Sequence, residues 1–414
     1  MDGDVEARTE RRWRSDWLPA LLMGANSLVT AVTFFYMAVY FDEVLGFSGT
    51  AIGILFAVHA ACALAVTVPA GLVNDRLSSR SLVLIATVGQ AASLAGLALV
   101  ARFWAVLAVY LLWGLANGLF KLSLDVQVLK TDSGRRTGGR IGLYQAGRFL
   151  GLGLGLVLAG QLLSRLGFER HLLLAAAACL ALVGLGVWLL PTPVGRVRWA
   201  DYRADLRRPR VLLFAGWLLL FASHWGAEAT AYGLFLRQDL ALSMTGMGWY
   251  MVGEFAAIAA TLLLLGRGLR DLRRLALYAV LGLAASGIGH VGMVFEPLAL
   301  SLGMRLLHGV GDGLMFLVTY YGIARLFAVE RLGGNTGFVA MATMLGYVLG
   351  ALVYGPLGAA WGYGLPLVAS GLIALGLAAG LLLLLRRPAA PAAAPTGSGS
   401  GRYAEKIAPP RSGS

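Results

Sequence analysis

The sequence predicts an all-α integral membrane protein in which twelve spanning helices form two related six-helix bundles. Three observations carry this prediction. The chain is 58% hydrophobic with a mean hydropathy of +0.75, and only 13% of its 414 residues are charged, against about 25% in a soluble domain. Apolar runs of membrane-spanning length follow one another along the chain. The glycines of the first half also recur in the second half at a constant spacing.

Twelve apolar runs meet the length that a membrane requires, since a helix needs about 20 apolar residues to cross about 30 Å of hydrocarbon. We number them as segments 1 to 12. They lie near residues 17–41, 51–73, 82–101, 104–126, 141–163, 171–190, 211–235, 245–265, 275–295, 298–325, 336–358 and 365–385.

The repeat has an offset of 195 residues, which carries Gly114 onto Gly309 without a gap. The same offset pairs further glycines: Gly53 with Gly248, Gly71 with Gly266, Gly118 with Gly313, Gly142 with Gly337, Gly151 with Gly346 and Gly155 with Gly350. One register held over this span indicates an ancient duplication. Because each half has an even number of helices, a two-fold axis along the membrane normal relates the halves. Such parallel repeats are typical of secondary transporters, which bind solute near the midplane.

Basic residues concentrate on one side of the predicted membrane. The loop between segments 1 and 2 has none, and the other loops of that side have few, whereas the opposite loops contain most of them: Arg76, Arg80, Lys130, Arg135, Arg136, Arg140, Arg196, Arg198, Arg203, Arg207, Arg208, Arg210, Arg267, Arg270, Arg273, Arg274, Arg325, Arg331, Arg386 and Arg387. By the positive-inside rule both termini lie in the cytoplasm. The net charge of +13 is then an orientation signal in a plasma (bacterial inner) membrane, and no nucleic-acid partner is expected.

The segments divide the chain into five predicted regions. They are a cytoplasmic N-terminal segment (1–16), an N-terminal bundle (17–190), a basic cytoplasmic linker (191–210), a C-terminal bundle (211–386) and a disordered tail (387–414). No cleavable signal peptide is visible, because the first apolar run already has spanning length. The two cysteines, Cys62 and Cys179, lie in apolar runs and do not suggest a disulfide framework.

The loop after segment 2 reads Gly71-Leu-Val-Asn-Asp75-Arg76-Leu-Ser-Ser-Arg80, and segment 10 contains Arg305-Leu-Leu-His308-Gly309-Val-Gly311. These stretches resemble two signatures of the major facilitator superfamily, and the resemblance extends over residues 17–386. It implies that segments 1, 4, 7 and 10 line a central cavity. It also implies a cytoplasmic gate of Gly71, Asp75, Arg76 and Arg80, with Asp75 near the start of segment 11. The alternative is that these are ordinary loop charges.

Ionisable residues inside the second half are candidates for proton coupling. Each costs roughly 2.5–3.5 kcal/mol at the centre of a spanning helix and is therefore a functional hypothesis by default. Segment 10 places Arg305, His308 and Asp312 on one face, segment 7 has His224 and Glu228 one turn apart, and segment 8 contains Glu254. We expect the pairs Asp312–Arg305 and Glu228–His224. The alternative is that these charges only fix helix packing.

The first half has cations instead, and these are candidates for binding substrate. Lys121 lies one turn beyond Asn117, the repeat mate of Asp312, and Arg148 lies on segment 5. Both would attract an anionic or zwitterionic solute, although Lys121 could also snorkel to the surface. Segment 1 adds a polar stripe of Asn26, Thr30, Thr33 and Tyr36.

The predicted function is secondary active transport of a small organic solute, anionic or zwitterionic, by alternating access with proton coupling. The predicted partners are the solute, protons and membrane lipids, and the protein is expected to be a monomer without enzymatic activity. No cofactor is expected, since the chain has no phosphate-binding loop, and no metal site, since the histidines are scattered along the sequence. Two alternatives remain open: a proton-driven efflux carrier for amphipathic drugs or lipids, and a non-transporting receptor, sensor or assembly protein on the same fold.

Overall fold

The protein is described from a computed structural model, which covers residues 13–37, 40–47, 49–131, 137–195 and 198–386. The predicted tail, 387–414, and most of the N-terminal segment, 1–16, lie outside the described residues. The described residues form helices and connecting turns without a β-strand.

Twelve spanning helices correspond to the twelve predicted segments, and we number them α1 to α12. The first bundle contains α1 (Leu18–Phe35), α2 (Gly49–Arg76), α3 (Ser79–Leu99), α4 (Phe103–Lys130), α5 (137–166) and α6 (168–186). The second contains α7 (Pro209–Ala227), α8 (Met244–Gly266), α9 (Leu272–Gly292), α10 (Leu298–Leu326), α11 (Leu332–Trp361) and α12 (Gly364–Arg386). A short helix, Trp199–Leu206, lies between the bundles, and we call it the linker helix.

Two local features shape these helices. Helices α5 and α6 follow one another directly within Thr137–Gly186, and Gly167 between them has φ +73°. Only glycine adopts this region readily, so the chain turns there. Helix α7 continues after Ala227 into wider turns over Glu228–Tyr232 and Phe235–Asp239. Such π-helical turns are frequent at functional sites, and here the first one begins at an acidic residue.

Length and composition support a membrane location. Among the described residues, eight helices are long and apolar enough to cross a membrane. One of the eight, Thr137–Gly186, contains both α5 and α6 and therefore contributes two spans. Leucine, isoleucine, valine and tryptophan side chains are exposed along most of these helices, as on Leu264, Leu352 and Trp104. A soluble protein would bury such side chains, whereas a bilayer solvates them.

The 195-residue repeat is visible in the packing. A side chain at Gly114 of α4 would meet His59 of α2, and a side chain at Gly309 of α10 would meet Glu254 of α8. Both members of the second pair are the repeat mates of the first pair. Four other close approaches also have a repeat mate, with both residues shifted by the 195-residue offset. The related contacts are Gly71–Gly333 and Gly266–Gly138, Gly337–Thr67 and Gly142–Leu262, Gly151–Gly24 and Gly346–Leu219, and Gly155–Leu28 and Gly350–Ser223. The duplication read from the sequence therefore extends to three dimensions.

The two bundles contact each other mainly through α2 with α11 and α5 with α8. Glycines allow these backbones to approach, for example Gly71 against Gly333 and Gly138 against Gly266. These contacts lie toward the side of the membrane on which α1 begins and α12 ends, which we call the termini side. Deeper in the molecule, Phe149 of α5 meets Phe316 of α10 with ring centroids 5.0 Å apart.

Candidate functional site

A buried cluster of charged and polar side chains lies inside the second bundle, where α7, α8, α9 and α10 meet. It brings together all six residues predicted for proton coupling: His224, Glu228, Glu254, Arg305, His308 and Asp312. We call these residues, with His290, the ionic cluster. Its members come from four helices, so only the folded bundle assembles it.

Arg305 is the cationic centre of the ionic cluster. Its guanidinium pairs with Glu228 through one terminal nitrogen and with Glu254 through the other. Its carbon also lies 4.1 Å from the centre of the Tyr232 ring, a cation–π distance. The Arg305 side chain is fully buried. A planar fork that reaches two carboxylates is the geometry that favours arginine over lysine in such a place.

Asp312, on α10 like Arg305, lies on the side of that helix that faces α7 and α9. Its Oδ2 accepts a hydrogen bond from Trp225 Nε1 at 3.0 Å and lies 3.3 Å from His224 Nε2. Its Oδ1 accepts from the Ser286 hydroxyl at 3.1 Å. Hydrogen bonds from Trp225 and Ser286 therefore hold this carboxylate in one orientation.

All three cluster histidines have their Nδ1 atom against an oxygen that accepts a hydrogen bond there. His224 Nδ1 faces the Phe221 carbonyl at 2.5 Å, and His308 Nδ1 faces the Ser286 carbonyl at 3.1 Å. His290 Nδ1 lies 2.9 Å from the Ser370 hydroxyl, which already donates to the Leu367 carbonyl. Each Nδ1 must therefore carry the proton of the neutral imidazole.

The Nε2 atoms consequently present lone pairs, and all three face carboxylates. His224 Nε2 lies 3.3 Å from Asp312, and His290 Nε2 and His308 Nε2 each lie 3.2 Å from Glu228 Oε1. Two acceptors that face each other repel unless a cation lies between them. Each of the three contacts therefore has space for a positive charge between the imidazole nitrogen and the carboxylate.

The predicted pairs within the cluster were wrong. We expected Asp312–Arg305 and Glu228–His224, but Arg305 pairs with Glu228 and Glu254, while His224 faces Asp312. The reason is that Asp312 and Arg305 are two turns apart on one helix. The long arginine side chain reaches α7 and α8 rather than folding back along its own helix.

Sequence reasoning missed four members of the surroundings. His290 of α9 completes the cluster, and Trp225, Ser286 and Tyr232 hold its charged groups. One usable signal was that His290 is an ionisable residue inside a predicted spanning segment, which by itself suggests function. Trp225 and Ser286 carried no such signal, because their hydrogen bonds depend on the way the helices pack.

In the first bundle, the predicted substrate residues fall into two groups. Asn26 of α1 donates to Gln90 of α3 at 2.7 Å, and Gln90 donates to Asn117 of α4 at 3.2 Å. This network ties three helices of one bundle together, which is a structural role. Thr30 and Thr33 donate to backbone carbonyls of their own helix, and the Tyr36 hydroxyl donates to the Leu156 carbonyl of α5 at 3.2 Å.

Lys121 and Arg148 form the other group. Lys121 is exposed and Arg148 is half-buried, and their like charges interact directly across α4 and α5. Neither makes a salt bridge with an acid among the described residues. Asp125 attracts both cations, yet its two oxygens are taken by the hydroxyls of Tyr144 at 2.7 Å and Tyr320 at 2.9 Å. Within the described part of the chain, both cations therefore lack a salt-bridged acid.

The predicted gate residues lie where α2 meets α11. Asp75 is fully buried, and its oxygens accept hydrogen bonds from the backbone amides of Gly333 at 2.8 Å and Gly334 at 2.7 Å. Asp75 therefore lies at the first turn of α11, where a carboxylate favours the positive end of the helix. Lys130 Nζ, 2.8 Å away, is its ion-pair partner. Arg76 is exposed and Arg80 half-buried, and neither pairs with an acid in the described ranges.

The linker helix joins this contact. Tyr202 donates to Asp75 Oδ2 at 2.6 Å, and Asp205 accepts from Arg331 Nε at 2.6 Å and from Asn335 at 3.0 Å. Burial would raise the pKa of Asp205, but the hydrogen bonds and charge of Arg331 lower it below the ordinary value. Burial and the hydrogen bond to Asp75 raise the pKa of Tyr202, so this hydroxyl remains a donor. Two residues of one short helix thus reach both bundles.

Comparison with known proteins settles the family. A model described as Major Facilitator Superfamily matches residues 20–233 and again residues 216–411. The chain belongs to the major facilitator superfamily. Among solved structures, the crystal structure of the human organic anion transporter MFSD10 (TETRAN) matches with a TM-score of 0.72 and 17% identity, covering 90% of this chain and 99% of that chain. At this identity the likeness shows the fold. No curated protein matches the sequence.

Membership of the major facilitator superfamily confirms several predictions. The chain is a multi-pass integral membrane protein with two pseudo-symmetric six-helix bundles. It is a secondary transporter, and its partner is a small-molecule substrate. The superfamily covers many substrates, so the nature of the solute has to be argued from the residues of this chain.

Proposed function

We propose that this protein transports a small organic anion or zwitterion together with protons. The observation that carries the proposal is the separation of charge between the bundles. In the first bundle, Lys121 and Arg148 have no salt-bridged acid among the described residues, whereas the second bundle buries three carboxylates among three histidines and one arginine. The solute and the coupling ion would then bind to different bundles.

The anionic character of the solute follows from Lys121 and Arg148. Their charges repel each other, so an anion placed between them relieves the repulsion and gains two charge-assisted contacts. Lys121 is accessible, as a binding group must be. The human protein MFSD10, which shares this fold, is an organic anion transporter, and its substrate class agrees with this choice. Thr33 of α1 and Tyr36, the residue that follows α1, are both half-buried and would supply the neutral polar contacts.

Protons are the proposed coupling ion because of the three histidines. Each one aims an Nε2 lone pair at a carboxylate, so each contact becomes favourable when a proton enters it. A rearrangement of α7 and α10 that alters these distances would change the proton affinity of the pair. Asp312 is the principal candidate, because Ser286 and Trp225 orient it and His224 Nε2 faces it at 3.3 Å.

The gate and the orientation are also proposed. The contact of Asp75 with α11 and the linker helix would close the cavity on the termini side, and by the distribution of basic residues this side is the cytoplasm. Residues 17–190 and 211–386 would then rock as two units about the linker, in a bacterial-type plasma membrane and as a monomer. Asp75 contributes nothing to the positive-inside rule, which supports a gating role over a purely topological one.

Proton flux in proteoliposomes tests the proposal. A trapped pH dye would follow wild type against a panel of organic anions, zwitterions and lipophilic cations. We expect flux with members of the first two classes, and we expect Asp312→Asn to lose proton-driven uptake while still exchanging labelled solute across the membrane. Asp239→Asn, which changes an exposed acid of the same half, is the matched control and should behave as wild type.

Three results would contradict the proposal. Unchanged driven uptake in Asp312→Asn would remove this residue from coupling. Flux with lipophilic cations alone would favour an amphipathic efflux carrier. A protein without transport should tolerate the double change Arg305→Gln and Asp312→Asn, whereas a carrier should lose its activity.

A further inference from the structure

We propose that His224, His308 and Asp312 form a binding site for a divalent transition-metal ion of the zinc type. Two imidazole nitrogens and one carboxylate oxygen lie within 4.8 Å of one another, and all three residues are buried. His224 Nε2 is 3.3 Å from Asp312 Oδ2, and His308 Nε2 is 3.7 Å from Asp312 Oδ1. In a tetrahedral zinc site with bonds of 2.0–2.1 Å, neighbouring ligand atoms are about 3.3 Å apart.

The hydrogen bonds around the imidazoles are those of metal ligands. A ligating histidine almost always donates its other ring N–H to a carbonyl or carboxylate, which fixes the tautomer and the ring orientation. Here the Nδ1 of His224 faces the Phe221 carbonyl, and the Nδ1 of His308 faces the Ser286 carbonyl and hydroxyl. Both Nε2 lone pairs are therefore free to bind a metal.

His308 supplies a second, independent observation. Its Nε2 is fully buried and makes no hydrogen bond with any described group, although carboxylates surround it. A buried polar atom without a partner costs free energy. The nearest acidic atoms are on Glu228 at 3.2 Å, Asp312 at 3.7 Å and Glu254 at 3.8 Å. A metal ion on this nitrogen removes the unmade bond.

Charge favours a divalent ion. When its three carboxylates are ionised, its histidines are neutral and Arg305 is charged, the ionic cluster has a net charge of −2. One divalent cation neutralises this charge. A related trio of Glu228, His290 and His308 also exists, but there the guanidinium of Arg305 already contacts the Glu228 oxygen. The salt bridges of Arg305 do not involve Asp312, so the first trio is the better site.

The ligand set selects the class of metal. Imidazole suits zinc, copper, nickel and iron, whereas magnesium and calcium require mainly oxygen ligands. Three protein ligands leave a fourth coordination position open. The side chain of Glu228, at 17% exposed, is the most accessible of the three acids in the ionic cluster. The sequence predicted no metal site because the histidines lie far apart along the chain, and the fold brings them together.

Metal binding by these residues requires neither transport nor proton coupling. The test uses the full chain purified in detergent with an affinity tag free of histidine, titrated with Zn²⁺ against a chromophoric chelator. We expect one Zn²⁺ per chain for wild type. His224→Gln and His308→Gln should each weaken binding at least tenfold. His171→Gln, which removes a buried histidine of α6 far from the cluster in sequence, should leave binding unchanged.

Melting temperature provides the check on folding. Bound ligand stabilises the folded state by mass action, so Zn²⁺ should raise the melting temperature of wild type and His171→Gln but not that of His224→Gln, while Mg²⁺ and Ca²⁺ should have no effect. Absence of Zn²⁺ binding by wild type would overturn the inference, as would equal binding by all variants. Loss of binding in His290→Gln with retention in His224→Gln would place the metal on the other trio and overturn the site as proposed.

Discussion

Asp125 and Tyr320 are repeat mates, 195 residues apart, and they hydrogen-bond to each other across the two bundles at 2.9 Å. Asp125 is on α4 of the first bundle and Tyr320 on α10 of the second. A residue can touch its own repeat mate only near the pseudo-two-fold axis. This contact therefore marks the point where the bundles meet about that axis.

Tyr320→Phe should weaken the closure of the bundles. A hydrogen bond to a charged group is worth about 1.5–3 kcal/mol, so its loss should favour the open form at this contact by about tenfold or more. The measurement is amide hydrogen exchange at the start of α11, where Gly333 and Gly334 lie in the same interface. Tyr144→Phe is the matched control, because it removes a hydrogen bond to the same carboxylate within one bundle. Equal exchange in both variants would refute the prediction.

Asp75→Asn should destabilise the protein. The change leaves Lys130 buried without its counter-ion, and breaking a buried ion pair from one side costs about 3–5 kcal/mol. Thermal unfolding in detergent measures the loss. Adding Lys130→Gln should recover part of it, because no charge then remains unpaired. Arg76→Gln, on an exposed neighbour without a described ion pair, should change the stability by less than about 0.5 kcal/mol.

The linker contact should respond to acid in a defined direction. Because the folded-state pKa of Asp205 is lowered, its contribution to stability is complete above the unfolded value of about 3.9. It is lost as the pH falls through the lower folded value. The difference in melting temperature between wild type and Asp205→Asn should therefore be constant above about pH 5 and shrink below the unfolded value. A difference that grows on acidification would contradict this assignment.

Repeat-related glycines should be equally intolerant of a side chain. A methyl group at Gly151 would overlap the Gly24 carbonyl, and one at Gly346 would overlap the Leu219 carbonyl. We expect Gly151→Ala and Gly346→Ala each to lower the stability by about 1–3 kcal/mol. Gly216 of α7 has no atom within 4 Å of the added carbon. Gly216→Ala should therefore be neutral or stabilising by up to about 1 kcal/mol. Similar melting temperatures for all three variants would contradict the packing argument.

Much of the fold followed from the sequence, because membrane helices are encoded by composition and the duplication by spacing. The offset that pairs Gly114 with Gly309 also predicts that their neighbours, His59 and Glu254, are equivalent, as the packing shows. The presence of Asp75 at the start of α11 followed from the loop signature. These features depend on one segment at a time or on the symmetry between the halves.

The interior of the site was less predictable. Helical spacing showed that Arg305, His308 and Asp312 share a face, but not that Arg305 would reach Glu228 and Glu254. That choice depends on the rotation of α7 and α8 and on the length of the arginine side chain. The role of the linker helix was also not visible in sequence, since Tyr202 appeared only as one polar residue in a basic loop.

The ionic cluster lies wholly within the second bundle, and Lys121 and Arg148 lie wholly within the first. Under the proposed function, neither ligand then touches the residues that bind the other. The number of protons transported per solute would depend on the interface between the bundles, including the contact of Phe149 with Phe316. Changes in that interface would uncouple the two fluxes. Protons would cross without solute, or solute without protons, while each ligand still bound with normal affinity.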